Sequence, residues 1–138
     1  AVFSSMGTPK FIADSLLSMS LPPWVFVIGI LIVAFILGWP LEWVPIVVVI
    51  VPIFIPILTG IQTDMIWFGI VLAVVLQSCW ISPPVALSAY YLKAIQPEWE
   101  LADIYKGMMP FMALQAIAVI LLFAFPQIVT WLPKALFG

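Results

Sequence analysis

The 138-residue sequence has no histidine, no arginine and a single cysteine, Cys79. Without histidine neither a histidine-based triad nor a histidine-containing zinc site can form, and one cysteine does not replace it. The lone thiol has no internal partner, so it says nothing about redox compartment. Charge is scarce as well. Four lysines and six acids make up 7% of the chain and leave a net charge of −2, where soluble domains carry about 25% charged residues. No basic surface exists to meet nucleic-acid phosphates. These absences exclude a soluble enzyme, a nucleic-acid binder and a secreted disulfide scaffold. What is abundant is apolar: 66% of the residues are hydrophobic, more than a domain of this size can bury away from water. The chain reads as an integral membrane protein.

Ala1 is not an initiator methionine, and the first twenty residues lack the basic flank and uninterrupted apolar core of a signal peptide, because Asp14 follows Lys10 closely. A piece of a longer membrane protein, or one segment of a split one, is expected. Residues 1–20 predict a short interfacial helix. Thr8-Pro9 supplies its start, Phe11, Ile12, Leu16 and Leu17 share one face, and Lys10, Asp14 and Ser18 oppose them.

Four apolar blocks follow: Pro22 to Leu37, Leu41 to Leu58, Met65 to Leu92, and Met108 to Phe125. A spanning helix needs about 20 apolar residues, so the first and last blocks predict crossings. The second contains Pro45, Pro52 and Pro56, with Pro40 just ahead, and proline removes a backbone donor and clashes with the preceding turn. That block predicts a helix broken into pieces. The third is too long for an upright crossing and is interrupted by Ser82-Pro83-Pro84. It predicts a re-entrant hairpin over 65–95, with arms from about Met65 to Ser78 and from about Val85 to Leu92, a tip at Cys79 to Pro84, and both ends on one side. Gln96 to Lys106 reads as a charged surface loop, and the final membrane helix falls within 101–125. Trp24, Trp67, Trp99 and Trp131 stand near block ends, as interfacial aromatics do.

Irregular backbone at membrane depth is tolerated where it is buried in protein or lines a wet cavity, so the two interruptions mark candidate chemistry. Glu42 lies between two strongly apolar blocks. An acid at the bilayer centre costs about 2.5–3.5 kcal/mol, which leaves two readings: a surface loop, or a carboxylate helping to hold a cation at a helix break. At the second interruption, the Ser78 and Ser82 hydroxyls and carbonyls freed by Pro83 and Pro84 are hard oxygen ligands of the kind Na⁺ takes, unless the serines merely bond back to a kinked helix. Asp64 fits a helix start, favoured there by the dipole. The methionines and Cys79 fit packing.

Several stretches in order resemble the large membrane subunit of tripartite ATP-independent periplasmic (TRAP) transporters. They are Leu37-Gly38-Trp39-Pro40-Leu41-Glu42-Trp43 with Pro52 and Pro56 after it, Asp64 to Ile70, Leu76-Gln77-Ser78, Ser82-Pro83-Pro84-Val85, and Asp103 to Gly107 with Pro110-Phe111. The resemblance covers nearly the whole chain and about the C-terminal third of such a subunit. It implies an all-α, elevator-type secondary transporter of the ion transporter superfamily, in a bacterial inner membrane, that imports an organic acid on a Na⁺ gradient. It also implies three partners: the rest of the large subunit, a small four-helix membrane subunit, and a periplasmic binding protein that delivers the substrate. No cofactor beyond the coupling ion is implied, and no nucleic acid. The implied sodium ligands are Gly38, Glu42, Ser78, Ser82 and Ala86, and Ser78, Ser82 and Pro83 would face the substrate. The family pattern has Thr where Ser82 stands, Gly where Ala86 stands and commonly Asp where Glu42 stands. Without arginine, the chain holds no bidentate grip for a carboxylate. Two other classes stand beside the transporter: an accessory structural membrane subunit, which predicts continuous helices, and a membrane-embedded enzyme, for which no acid–base pair or metal cluster is in view. The transporter reading predicts two helix breaks that face each other.

Overall fold

The structure, a computed structural model, describes residues 18, 21–83 and 86–137. The interfacial helix expected over 1–20 lies outside them, Ser18 excepted. Every regular element among the described residues is helical. Three helices, Pro23–Leu41, Trp43–Gly60 and Leu101–Ala124, are long and apolar enough to cross a membrane. The chain is the all-α membrane protein that its composition implies.

Helix α1, Pro23–Leu41, starts with Pro23 in its first turn, where a missing amide costs nothing, and runs on through Gly38 and Trp39 with Pro40 inside its last turn. It ends at Glu42, not at the expected Gly38-Trp39-Pro40 stop, which remains helical. Helix α2, Trp43–Gly60, follows at once. Its prolines do not break it into pieces. Ile46–Ile50 widens to a π-helix, and the Val51 amide reaches back five residues to the Ile46 carbonyl. The widened turn makes room for Pro52, which has no amide to offer. Further on, Thr59 Oγ1 donates to the Ile55 and Pro56 carbonyls at 2.9 and 3.0 Å.

Helices α1 and α2 form a hairpin. Phe26, near the start of α1, packs with Ile57, Phe54 and Ile61 near the end of α2, while Gly38 lies against Ile46 close to the turn. The single reversing residue is Glu42.

Helix α3, Met65–Ser78, is capped as expected by Asp64, whose Oδ1 accepts from the Ile66 and Trp67 amides at 2.9 and 3.1 Å. Helix α4, Leu87–Ile95, follows the interruption, and α5, Leu101–Ala124, follows a short turn. Residues 101–106, read both as the end of the charged loop and as the start of the final helix, are the first turns of α5, where Asp103 sits in the first turn and pairs with Lys106 at 2.9 Å. An amphipathic helix, α6, Gln127–Phe137, closes the chain.

Contacts along α5 correct the hairpin expected over 65–95. Trp67 Nε1 donates to the Leu122 carbonyl at 2.8 Å, and Gln115 Nε2 donates to the Val74 carbonyl at 2.7 Å. Beyond the break, Ala86 and Ala89 are buried with Ile104 and packed by Leu101, Tyr105 and Met108. Helices α3 and α4 thus meet α5 one after the other, both antiparallel to it. A hairpin would return Ile95 to the level of Trp67. The physical reason is length: α5, with 24 residues, is about 36 Å long, and the 14 residues of α3 cover about 21 Å of it, leaving a seat that the 9 residues of α4, about 14 Å, fill. The segment is an interrupted crossing, and the hairpin of this fold is α1–α2.

The core lies between α1, α2 and α3: Val27, Ile30, Leu31 and Ala34 against Ile46, Leu58, Phe68, Val71, Leu72, Val75 and Leu76. Helix α5 buries only Ile104 within the chain and turns Phe111, Leu114, Ile117 and Ile120 outward, as a lipid or protein neighbour requires.

Candidate functional site

The two interruptions meet. The Gly38 backbone lies so close to Cys79 that a methyl group on Gly38 would overlap Sγ and come within 3.2 Å of Cβ. Cys79 Sγ approaches the Phe35 carbonyl at 3.6 Å. One residue beyond Gly38, Trp39 Nε1 donates to Ser82 Oγ at 3.0 Å. The tip of the α1–α2 hairpin is therefore docked onto the turn between α3 and α4. Depth follows from α5. Ser78, Ser82, Met112 and Gln115 line one cavity of about 560 Å³, walled otherwise by apolar groups such as Phe35, Val75 and Val119. Met112 stands at the middle of α5, so the junction sits at mid-height of the bundle.

The turn is built by α3 capping itself. The Cys79 and Trp80 amides donate to the Leu76 and Gln77 carbonyls at 3.1 and 3.2 Å. The Ser78 carbonyl accepts from the Ile81 and Ser82 amides at 3.2 and 3.0 Å and from Ser82 Oγ at 2.7 Å. Helix α4 is tied back by the Ala86 amide on the Ser82 carbonyl at 3.1 Å and the Ser88 amide on the Trp80 carbonyl at 3.2 Å. Hence the Leu76, Gln77, Ser78, Trp80 and Ser82 carbonyls around the turn are engaged, and the Ser78 carbonyl, with three donors, has no capacity left for an ion.

The hydroxyls are different. Ser82 is 2% exposed. Its proton goes to the Ser78 carbonyl, one lone pair receives Trp39, and the other has no partner among the described residues. The Ser78 hydroxyl donates to the Val75 carbonyl and accepts from no described residue. Both serines present oxygen without a proton, which suits a cation or an N–H donor and does not suit a carboxylate. The substrate contact expected of Ser78 and Ser82 needs a different rotamer from this one. Pro83 is half-buried in the turn and lines neither this cavity nor the one of about 480 Å³ on the other side of the junction, among Trp43, Leu76, Gln77, Trp80 and Ser88.

Backbone strain marks both interruptions. Glu42 has φ 62° with ψ −179°, and the buried Ala86 has φ 23°. Both lie where glycine is at ease and other residues pay about 1–3 kcal/mol. Ala86 is the position where glycine stands in the pattern the sequence resembles, and the strain shows why. Of the expected sodium ligands, Gly38, Ser78, Ser82 and Ala86 are brought together through the turn. Glu42 stands at the reversal between α1 and α2, exposed in this chain, lines neither cavity at the junction, and has no hydrogen bond or ion pair to another described residue. No group of three His, Cys, Asp or Glu occurs among the described residues.

Sequence reasoning missed three participants. Trp39 is treated there only as part of a helix stop, but donates across the junction. Cys79, read as packing, is the contact that requires glycine at position 38. Gln115, on a block read as a plain crossing, fastens α5 to α3. A polar residue inside an apolar block was the available signal for Gln115.

A hairpin here stops against an interrupted helix halfway through a helical bundle, so that irregular backbone, helix ends and hydroxyls converge at mid-height. Comparison with known proteins makes this particular. Residues 1–128 match the family described as the tripartite ATP-independent periplasmic transporter, DctM component, and the chain belongs to that family. A similar curated protein is the C4-dicarboxylate TRAP transporter large permease protein DctM of Vibrio cholerae serotype O1, 27% identical over 137 residues, which are 99% of this chain and 30% of the relative. The chain thus spans less than a third of that protein's length. No solved structure matches the chain.

Proposed function

We propose that this chain forms the C-terminal part of the transport domain of a TRAP large permease subunit, which imports an organic acid coupled to Na⁺ across a bacterial inner membrane. The observation that carries the proposal is the docking of the hairpin tip on the α3–α4 turn at mid-height. Two helix C-termini, those of α1 and α3, and two N-termini, those of α2 and α4, come to this one place. Helix C-termini favour cations and N-termini favour anions, so a single junction offers sodium and a substrate carboxylate adjacent seats. Sodium takes the Ser82 and Ser78 hydroxyl oxygens, with Glu42 closing the seat directly or through water, and Gly38 and Ala86 supply backbone at close approach. The substrate carboxylate faces the N-terminus of α4 and an arginine from elsewhere in the subunit. The name of the Vibrio relative points to a four-carbon dicarboxylate. An accessory structural role predicts continuous helices and leaves the facing breaks without a reason.

The outward apolar face of α5 suits lipid, the remaining helices of the large subunit, or the small membrane subunit, and a periplasmic binding protein supplies the substrate. Movement of the hairpin and the interrupted helix as one elevator body fits their interlocked tips. The test is uptake by the full permease, reconstituted with its small subunit and its binding protein. Uptake should vanish without a Na⁺ gradient. Glu42→Gln should weaken the Na⁺ dependence while membrane insertion is spared. Undiminished uptake without sodium would refute the coupling.

A further inference from the structure

We infer that Trp39 is a positioning residue for the coupling ion: with the Ser78 carbonyl, its indole N–H fixes Ser82 Oγ so that one lone pair is all that the hydroxyl can offer to the cavity it lines. The inference rests on the reading of Ser82 as a sodium ligand and adds a residue to it. A serine hydroxyl carries one proton and two lone pairs and rotates freely when unpartnered. Here the proton is committed to the Ser78 carbonyl at 2.7 Å and one lone pair to Trp39 Nε1 at 3.0 Å. Rotation would break both bonds of a side chain that is itself nearly closed to water, where an unmade hydrogen bond is expensive. The oxygen is therefore preorganised as an acceptor, which a cation requires and a carboxylate rejects. The indole is itself held: Trp39 packs edge-on against Phe35 with ring centroids 5.2 Å apart, and Gly38 beside it is pinned against Cys79. Because Trp39 lies on the hairpin and Ser82 on the interrupted helix, the oxygen is held by both bonds only while the hairpin is docked. Sodium affinity and hairpin docking are thereby coupled.

The experiment is binding of radioactive sodium to the purified full permease with its small subunit, which requires no knowledge of the substrate. Ser82→Ala should raise the half-saturating sodium concentration about tenfold or more, and Trp39→Phe, which keeps an aromatic ring and removes the donor, about three- to tenfold. In the Ser82→Ala background, Trp39→Phe should add nothing, because its effect runs through that hydroxyl. The melting temperature of Trp39→Phe in sodium-free buffer should fall slightly, by the one hydrogen bond removed, and the stabilisation by saturating sodium should be smaller as well. If Ser82→Ala binds sodium normally, the ligand assignment falls and this inference with it. If Ser82→Ala is weakened and Trp39→Phe is not, the assignment stands and the role of Trp39 is refuted. An equal loss from Trp39→Phe with and without Ser82, or a loss of sodium-free stability with unchanged sodium affinity, also refutes it.

Discussion

The contact between Gly38 and Cys79 gives the sharpest handle on the junction. Gly38→Ala adds one methyl group, and nothing in the helix geometry forbids it, since alanine suits a helix better than glycine by about 1 kcal/mol. The space does forbid it. The new carbon would overlap Cys79 Sγ and approach Cys79 Cβ to 3.2 Å, with Ile46 Cδ1 at 3.7 Å on another side. Sγ can swing away only by leaving the Phe35 carbonyl, and Cβ is fixed by the turn backbone. Overpacking of this kind costs about 1–3 kcal/mol, so the gain in helix propensity does not cover it. The hairpin tip must lift from the turn. A shift of 1–3 kcal/mol in a docking equilibrium is about 5- to 150-fold, and the Trp39–Ser82 bond one residue away goes with it. The expected outcome is a permease that inserts and expresses normally but needs at least about fivefold more sodium for half-maximal uptake. The control is the double variant Gly38→Ala, Cys79→Ala, in which removal of the sulfur restores the space, and which should recover most of the loss. Wild-type sodium dependence for Gly38→Ala alone, or no recovery when the sulfur is removed, would refute the claim that these two residues hold the breaks together.

Two further outcomes test the topology and the strain. Single cysteines at Thr63 and Gln96, in a Cys79→Ala background, should react with a membrane-impermeant thiol reagent from opposite faces of the membrane. Labelling of both from one face would restore the hairpin over 65–95 and overturn the interrupted crossing. Ala86→Gly should raise the thermal stability of the full permease, because glycine adopts φ 23° without the penalty of about 1–3 kcal/mol that alanine carries. An unchanged or lower melting temperature would mean that the turn relaxes around alanine without strain.

The sequence makes the class of the fold plain because the bilayer is a demanding solvent. The length and apolarity of Pro23–Leu41 and Leu101–Ala124 admit few alternatives, and Asp64 ahead of an apolar run announces its cap. The places of interruption were legible too, since Glu42 and Ser82-Pro83-Pro84 are the polar and proline-bearing gaps in otherwise apolar blocks. What was not legible is the direction the chain takes after each gap. Proline states that a helix must change, and not whether the next helix continues or returns. At Ser82 the choice is made by α5, a neighbour long enough to seat α3 and α4 end to end. At Glu42 it is made by packing between Phe26 and Ile57. Neither partner is near the gap in sequence. The prolines of α2 misled for the same reason: a π turn, stabilised by five-residue spacing from Val51 to Ile46, takes up Pro52 locally and leaves the helix whole.

The candidate site was read in its residue types more than in its chemistry. Gly38, Ser78, Ser82 and Ala86 do converge, yet the oxygen supply differs from expectation. Carbonyls after a broken helix are free only if nothing follows to bond them, and the residues Cys79 to Ser82 wind back onto those of Leu76, Gln77 and Ser78. In the proposed site their engagement shifts weight from backbone to hydroxyl. A hydroxyl, unlike a carbonyl, must be told which way to point, and the instruction comes from the Ser78 carbonyl together with Trp39 on the other interruption. Two gaps that look independent along the chain are thus joined: the hairpin supplies the donor and the broken helix supplies the oxygen, and the hydroxyl is held at both ends only when they meet. If sodium takes this seat, as proposed, that joint is the physical content of coupling, for an ion that binds the docked state better must stabilise docking by as much as docking strengthens its binding.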